Sequence, residues 1–337
     1  MKWSKHITKI TSKANQRLGA LYRQSRKMTR LQLETIYLSM IRPILEYGSV
    51  LFSNCSFSDV NLIESVQRRA AVLSTGAIRR TETVRLFAET GWDSLELRRM
   101  RAKMFLFFKI VKESTPSYLS NIISQRAQQI RSSRSSTKNS ILLIEPTCRI
   151  TCYKTSFFPD CIRIWNSLSN EFVNCASIDM FKAGLVLLPA FSSKTHVVDT
   201  VCFNKVLTGN HGRLITQFRL GLSPLRNELF CYNIIENPFC PACGECLETL
   251  SHYLFECPSY LPHRLIMLND IQILVAEINH YFGLRIDLNN RDAVTSLLTR
   301  GIHLPEQEET VQLNINRAIF KICNNFITKT LRFKSQY

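Results

Sequence analysis

Between residues 240 and 257 the chain reads CPACGECLETLSHYLFEC, and no other stretch restricts its folding as tightly. Cys240, Cys243, His252 and Cys257 form the pattern C-x2-C-x8-H-x4-C. Zinc takes four soft or borderline ligands in a tetrahedron, and a Cys-x2-Cys turn brings two thiolates onto one ion. Gly244, directly after the second cysteine, suits a tight knuckle, and a short helix carrying His252 toward Cys257 closes the set. All four positions are protein groups, which leaves none for substrate, so the pattern predicts a structural rather than a catalytic zinc. Such a site supplies on the order of 10 kcal/mol to a segment too small to fold alone. The alternative is a set of free thiols and a histidine that are near one another by chance. Cys246 is expected to be a spare thiol, and His211, His263 and His280 lie outside the spacing.

Elsewhere the pattern is helical. From Trp3 to Leu21 the apolar residues Ile7, Ile10, Ala14, Leu18 and Leu21 recur every three or four positions, with Lys2, Lys5, Lys9, Lys13 and Arg17 on another face. Thr29 to Gln32 is a capping box opening a helix through Leu33, Ile36 and Met40, interrupted or kinked at Pro43. Ser58-Asp59 is expected to cap a third helix, with Ile63, Val66, Ala70 and Leu73 inward and Arg68-Arg69 exposed. A fourth, Leu95 to Val111, sets Met104, Phe107 and Phe108 against Arg98, Arg99, Arg101, Lys103 and Lys109. Residues 132–138 read as an exposed linker. Phe157 and Phe158 before Pro159 are expected to be extended, and Ile162, Trp165 and Leu168 to be packing anchors. Ile271 to Phe282 and Val311 to Leu331 are amphipathic and helical.

Charge is unevenly spread. Of the net +17, residues 1–138 carry 25 Lys and Arg against 9 Asp and Glu, a net of +16. Cations not interleaved with acids do not form a self-pairing surface. The basic half is therefore read as a nucleic-acid-binding module, with Arg68, Arg69, Arg98, Arg99, Arg101 and Lys103 as candidate phosphate contacts. The bland alternative is a solvated helix surface. No apolar run is long enough for a spanning helix, and the N-terminus lacks the apolar centre of a signal peptide. Reduced thiols in the cytoplasm or nucleus are expected for the 12 cysteines. Phosphate-cradling loops, nucleophile elbows and HExxH are missing. Asp287 and Asp292 are isolated in a polar loop, and Glu306, Glu308 and Glu309 form a solvated patch.

Several segments, in order, carry a resemblance. They are Trp3-Ser-Lys-His-Ile7 with Lys13-Ala14, and Tyr37 to Ser49 (YLSMIRPILEYGS). Glu64 to Ala71 (ESVQRRAA) follows, with Gly91-Trp92-Asp-Ser-Leu95 and Arg98-Arg99. Next come Ser156-Phe-Phe-Pro159 with Trp165-Asn166, then Arg219 to Ser223 (RLGLS) and the knuckle ending in Cys257-Pro258. In this order the chain resembles the C-terminal part of the reverse transcriptases of non-LTR (LINE-type, jockey-like) retrotransposons, over roughly residues 1–265. The resemblance implies a helical thumb that grips RNA, RNA–DNA hybrid or DNA by its backbone, and a knuckle that helps to hold RNA. It places the magnesium-binding aspartates in a palm upstream of Met1, so that no catalytic residue is expected here. The remaining alternatives are a non-catalytic helical scaffold, or the C-terminal part of an active RNA-directed DNA polymerase.

The expected fold is mainly α. A thumb-like bundle spans 1–130, a linking region 131–200, the zinc knuckle 201–265 and C-terminal helices 266–337.

Overall fold

The computed structural model describes residues 3–78, 81–127, 141–192, 209–304, 307 and 309–333. The expected linker at 132–138 lies outside the described residues, as do Glu306 and Glu308. The helices in chain order are α1 (Ser4–Gln24), α2 (Arg30–Ile36), α3 (Arg42–Glu46), α4 (Phe57–Thr75), α5 (Thr83–Thr90) and α6 (Leu95–Val111). There follow α7 (Ser117–Ala127), α8 (Thr151–Lys154), α9 (Phe157–Asn166), α10 (Asn170–Val173) and α11 (Ile178–Leu187). The last are α12 (Gly209–Leu220), α13 (Arg226–Cys231), α14 (Leu261–Phe282), α15 (Arg291–Arg300) and α16 (Glu309–Lys329). The protein is mainly helical, as its periodicity predicts. Among the described residues there is no strand, only an antiparallel bridge between Phe239 and Leu247, and no helix is long and apolar enough to cross a membrane.

Local chemistry explains several helix starts. Thr29 and Gln32 form the predicted box: the Thr29 hydroxyl accepts from the Gln32 amide at 3.2 Å, and the Thr29 amide donates to Gln32 Oε1 at 2.9 Å. Between α2 and α3 the backbone widens into a π turn over Tyr37–Ile41, and Pro43 falls in the first turn of α3. There its missing N–H costs no helical bond, so the expected interruption takes the form of a restart. The cap of α4 is Ser56 rather than Ser58: its hydroxyl accepts from the Asp59 amide at 3.2 Å. Phe157 and Phe158 are not extended but open α9, with Pro159 in its first turn and Ser156 as the extended cap. The restriction before proline therefore yields to tolerance of proline at a helix start. Asp292 sits in the first turn of α15, whose cap Asn290 accepts from the Asp292 and Ala293 amides. It is not in a loop.

The chain forms two compact units. One comprises Met1–Arg17, Met40–Gln67 and Asp93–His196, and the other Leu18–Ser39, Arg68–Trp92 and Val197–Tyr337.

In the first unit a core gathers Met104, Phe107 and Phe108 of α6, Trp165 of α9 and Phe181 of α11. Phe108 stacks on Phe181 with ring centroids 4.4 Å apart. Trp165 is fully buried, and its indole N–H donates to the Ile141 carbonyl at 3.0 Å. The neighbouring Asn166 clamps the backbone of Leu143 through its amide, at 3.0 and 2.8 Å.

In the second unit the core joins α12, α14, α15 and α16 through Phe218, Ile271, Leu298, Phe320 and Phe326. A buried charge network lies beside it. Arg30 pairs with Glu34 at 2.7 Å and Glu89 at 2.6 Å, and Arg219 pairs with the same Glu89. Burial raises the Glu34 carboxyl. At Glu89 burial pulls the same way, but Arg219 and Arg30 together hold it below the usual carboxylate range.

Candidate metal centre and basic surface

The knuckle begins at the Phe239–Leu247 bridge, where the Cys240 amide donates to the Cys246 carbonyl at 2.8 Å and the Gly244 amide to the Cys240 carbonyl at 2.8 Å. Gly244 has φ +76°, a left-handed turn that a side chain would strain. This fold-back sets Cys240 and Cys243 side by side. The second half is a π turn, His252–Glu256, closed by the Cys257 amide donating to the His252 carbonyl at 2.8 Å. The wide turn accommodates the four residues between His252 and Cys257.

The ligand atoms of Cys240, Cys243, His252 and Cys257 all lie within 4.8 Å of one another and could hold a metal ion. Cys240 Sγ and Cys257 Sγ are 3.8 Å apart, and Cys243 Sγ is 3.4 Å from His252 Nε2. Two sulfurs about 2.3 Å from one tetrahedral zinc stand about 3.8 Å apart, so the donor set has the size of such a site. Amides of Cys246 and Glu245 aimed at the sulfur draw the Cys243 thiol down to about 6, whereas burial pushes Cys240 up to about 11. Cys246 is exposed and stands outside the set. Among the described residues every cysteine is a free thiol.

Three residues that the spacing does not reveal hold this site. His252 Nδ1 faces Glu256 Oε2 at 4.0 Å, and Glu256 is itself tied to Arg291 at 2.6 Å. At that distance the carboxylate lies beside the imidazole without a direct hydrogen bond. Glu248 is fully buried, accepts from the Arg226 amide at 2.8 Å and pairs bidentately with Arg332. Arg264 donates to the Leu254 and Cys257 carbonyls at 2.8 and 2.7 Å. Glu248 and Arg332 are 84 residues apart, too far for a sequence pattern to pair them.

Three of the six candidate phosphate contacts do not face solvent. Arg68 is half-buried, with Nη2 donating to the Thr81 carbonyl at 2.8 Å, while Arg69 is exposed. Arg98 pairs with Glu46. Contrary to the expected exposure, Arg99, Arg101 and Lys103 are buried. Lys103 pairs with Asp160 at 2.6 Å, and Arg101 binds Asp93 and, through Nε and Nη2, the Phe191 carbonyl at 2.9 and 2.7 Å. Nη1 and Nη2 of Arg99 are buried with no hydrogen-bond partner among the described residues, and burial lowers its pKa. Periodicity carries part of this signal. Arg99 and Lys103 stand at four-residue intervals between Leu95 and Phe107, and therefore share their inward face.

A row of cations in the first unit that does face solvent lies on α1. Lys5, Lys9, Lys13 and Arg17 are exposed, while Ile7, Thr11 and Ala14 are buried on the opposite side.

No protein-family model, no curated protein and no solved structure matches the chain.

Proposed function

We propose that this chain is the nucleic-acid-binding C-terminal region of a non-LTR retrotransposon reverse transcriptase. It binds RNA, RNA–DNA hybrid or DNA through a basic helical surface and carries a structural zinc on Cys240, Cys243, His252 and Cys257. Magnesium chemistry belongs to a palm outside these residues. The observation that supports the reading is the convergence of three cysteines and one histidine within 4.8 Å of one another in a chain whose first 138 residues hold a net +16. Zinc bound there would fix the fold-back and the π turn relative to each other. The four protein donors fill its coordination shell, so its role is structural.

The test is a titration of the purified, reduced chain with labelled RNA, RNA–DNA hybrid and DNA duplex, alongside metal quantification. One zinc per chain is expected, with binding to a polyanion that weakens steeply with salt. A metal-free folded chain, or no binding at low salt, removes the reading.

A second reading, a helical scaffold for a protein partner, is favoured by α14, whose outer side exposes Leu261, Leu265, Ile266, Ile273 and Tyr281. Zinc present without nucleic-acid binding would select it.

A further inference from the structure

Building on the nucleic-acid-binding reading, we infer that the first unit meets the phosphate backbone along the outer face of α1, through Lys5, Lys9, Lys13 and Arg17. Arg98, Arg99, Arg101 and Lys103 of α6 do not take part. Arg98, Arg101 and Lys103 each face a carboxylate, and Arg99 is buried. On α1 the situation is reversed. The helix contains no Asp or Glu, and among the described residues no carboxylate lies within ion-pair distance of Lys5, Lys9, Lys13 or Arg17. Arg17 donates Nη1 to the Met40 carbonyl at 2.9 Å, an uncharged partner that holds its guanidinium in place and leaves its charge unneutralised.

The spacing suits a backbone. Four cations at four-residue steps span about 18 Å along the axis, over which one strand of a duplex presents about five phosphates at ~3.4 Å each. Each four-residue step also turns the row by about 40°, so the charges wind around the helix and follow a curved strand better than a flat surface. The intervening exposed residues include Ser12 and Gln16, neutral groups able to donate hydrogen bonds to phosphate oxygens. A lipid surface fits less well. Between Lys5 and Arg17 no large apolar side chain is exposed to enter the acyl region, because Ile7 and Ala14 face inward there. Phosphate contacts carry no sequence information, so a contact of this kind is independent of sequence.

The experiment compares the full chain with a Lys5→Gln/Lys9→Gln/Lys13→Gln/Arg17→Gln variant. A charge-matched control, Lys109→Gln/Lys112→Gln/Lys154→Gln/Lys182→Gln, removes exposed cations of the same unit elsewhere. Glutamine is a good helix former, and circular dichroism and metal content verify folding. Fluorescence anisotropy follows a labelled 20-nucleotide RNA, a hybrid and a DNA duplex across a salt series, with phosphatidylserine vesicles as a fourth probe.

Without these four cations the slope of log K against log salt becomes shallower by about 3.6 on duplex and about 2.8 on single strands. Affinity at 0.1 M salt drops on the order of a thousandfold, while the control keeps its slope. Wild-type binding with an unchanged row variant, or equal losses in row and control, overturns the α1 assignment and leaves the broader reading standing. Failure of the wild type to bind any of the three nucleic acids overturns both. Binding to vesicles alone does the same.

Discussion

Arg101 offers the sharpest separation between a charge that holds the fold and a charge that meets a ligand. Replacing it with glutamine removes the ion pair to Asp93 and at least one of the two bonds to the Phe191 carbonyl. Hydrogen bonds to a charged group contribute about 1.5–3 kcal/mol each. The Asp93 partner is 24% exposed, so water replaces part of what it loses, and that link is worth at most about 1 kcal/mol. Phe191 is a core residue at 3% exposure, and its carbonyl has no such recourse. The sum is a loss of about 2–4 kcal/mol from the first unit, a shift of roughly 1 M in urea midpoint for m near 2–3 kcal/mol/M.

The assay is urea unfolding by tryptophan fluorescence, with hydrogen exchange of residues 157–166 as a local report on the Trp165 core. Nucleic-acid binding by the folded variant should keep the wild-type salt slope. An unchanged midpoint together with a slope shallower by about 0.9 would mean that Arg101 neutralises a phosphate, and the structural account would be wrong.

Further consequences are open to measurement. Glu64 caps α6, both carboxylate oxygens accepting from the Leu95 amide at 3.1 and 3.2 Å, and burial raises it to about 7. A folded pKa above the unfolded one means that the contribution of Glu64 to stability is fully present below pH ~4.5 and declines by up to about 1.4 kcal/mol per pH unit as pH rises toward 7. Glu64→Gln should flatten that decline and, with solvent screening discounted, exceed the wild type by about 1–2 kcal/mol at pH 8; parallel pH profiles in urea unfolding would refute this. Gly301 has φ +75° and ψ −157°, a region essentially confined to glycine, and a Cβ there would fall on Oδ1 of Asn316, which clamps Ile302 at 2.8 and 3.0 Å. Gly301→Ala should cost about 3–4 kcal/mol and couple non-additively with Asn316→Ala, whereas independent effects in the double mutant would count against the clash. Cys257→Ser should abolish zinc retention and increase hydrogen exchange in α14, because Cys257 belongs to the same core as Met267 and Ile271. Cys246→Ser should change neither, and zinc loss from it would add a fifth ligand to the set.

What the sequence made legible was local. The Thr29 box needs only residues three apart, and the Cys240-to-Cys257 pattern needs a span of 18, so both are legible from residue order alone. The helices α6 and α16, and the part of α14 from Ile271 on, follow from periodicity. Periodicity also assigns faces, but a cation on an inward face is readable as buried only if a partner is in view. Asp160, which receives Lys103, is 57 residues away, and the Phe191 carbonyl that binds Arg101 is 90 away. Charge counting therefore located the basic half of the chain and misassigned which of its cations are presented. On α1 the lysines are exposed, and among the described residues no carboxylate pairs with them. Pro43 and Pro159 illustrate a related limit: proline forbids a continuing helix and permits a beginning one, and a single sequence does not decide between them.

The second unit also sets a schedule for the chain as it emerges from the ribosome. Ser25, Gly76 and Glu89 are made early, but the residues that bind them, Arg213, Gln217 and Arg219, follow 188, 141 and 130 positions later. At about 5–20 residues per second, that delay is roughly 6–40 s. For that interval Arg30 and Glu34 can pair within α2, while Glu89 waits for its second guanidinium and the apolar face it accompanies stays uncovered. A product stopped short of α12 would carry Glu89 with only one of its two guanidinium partners.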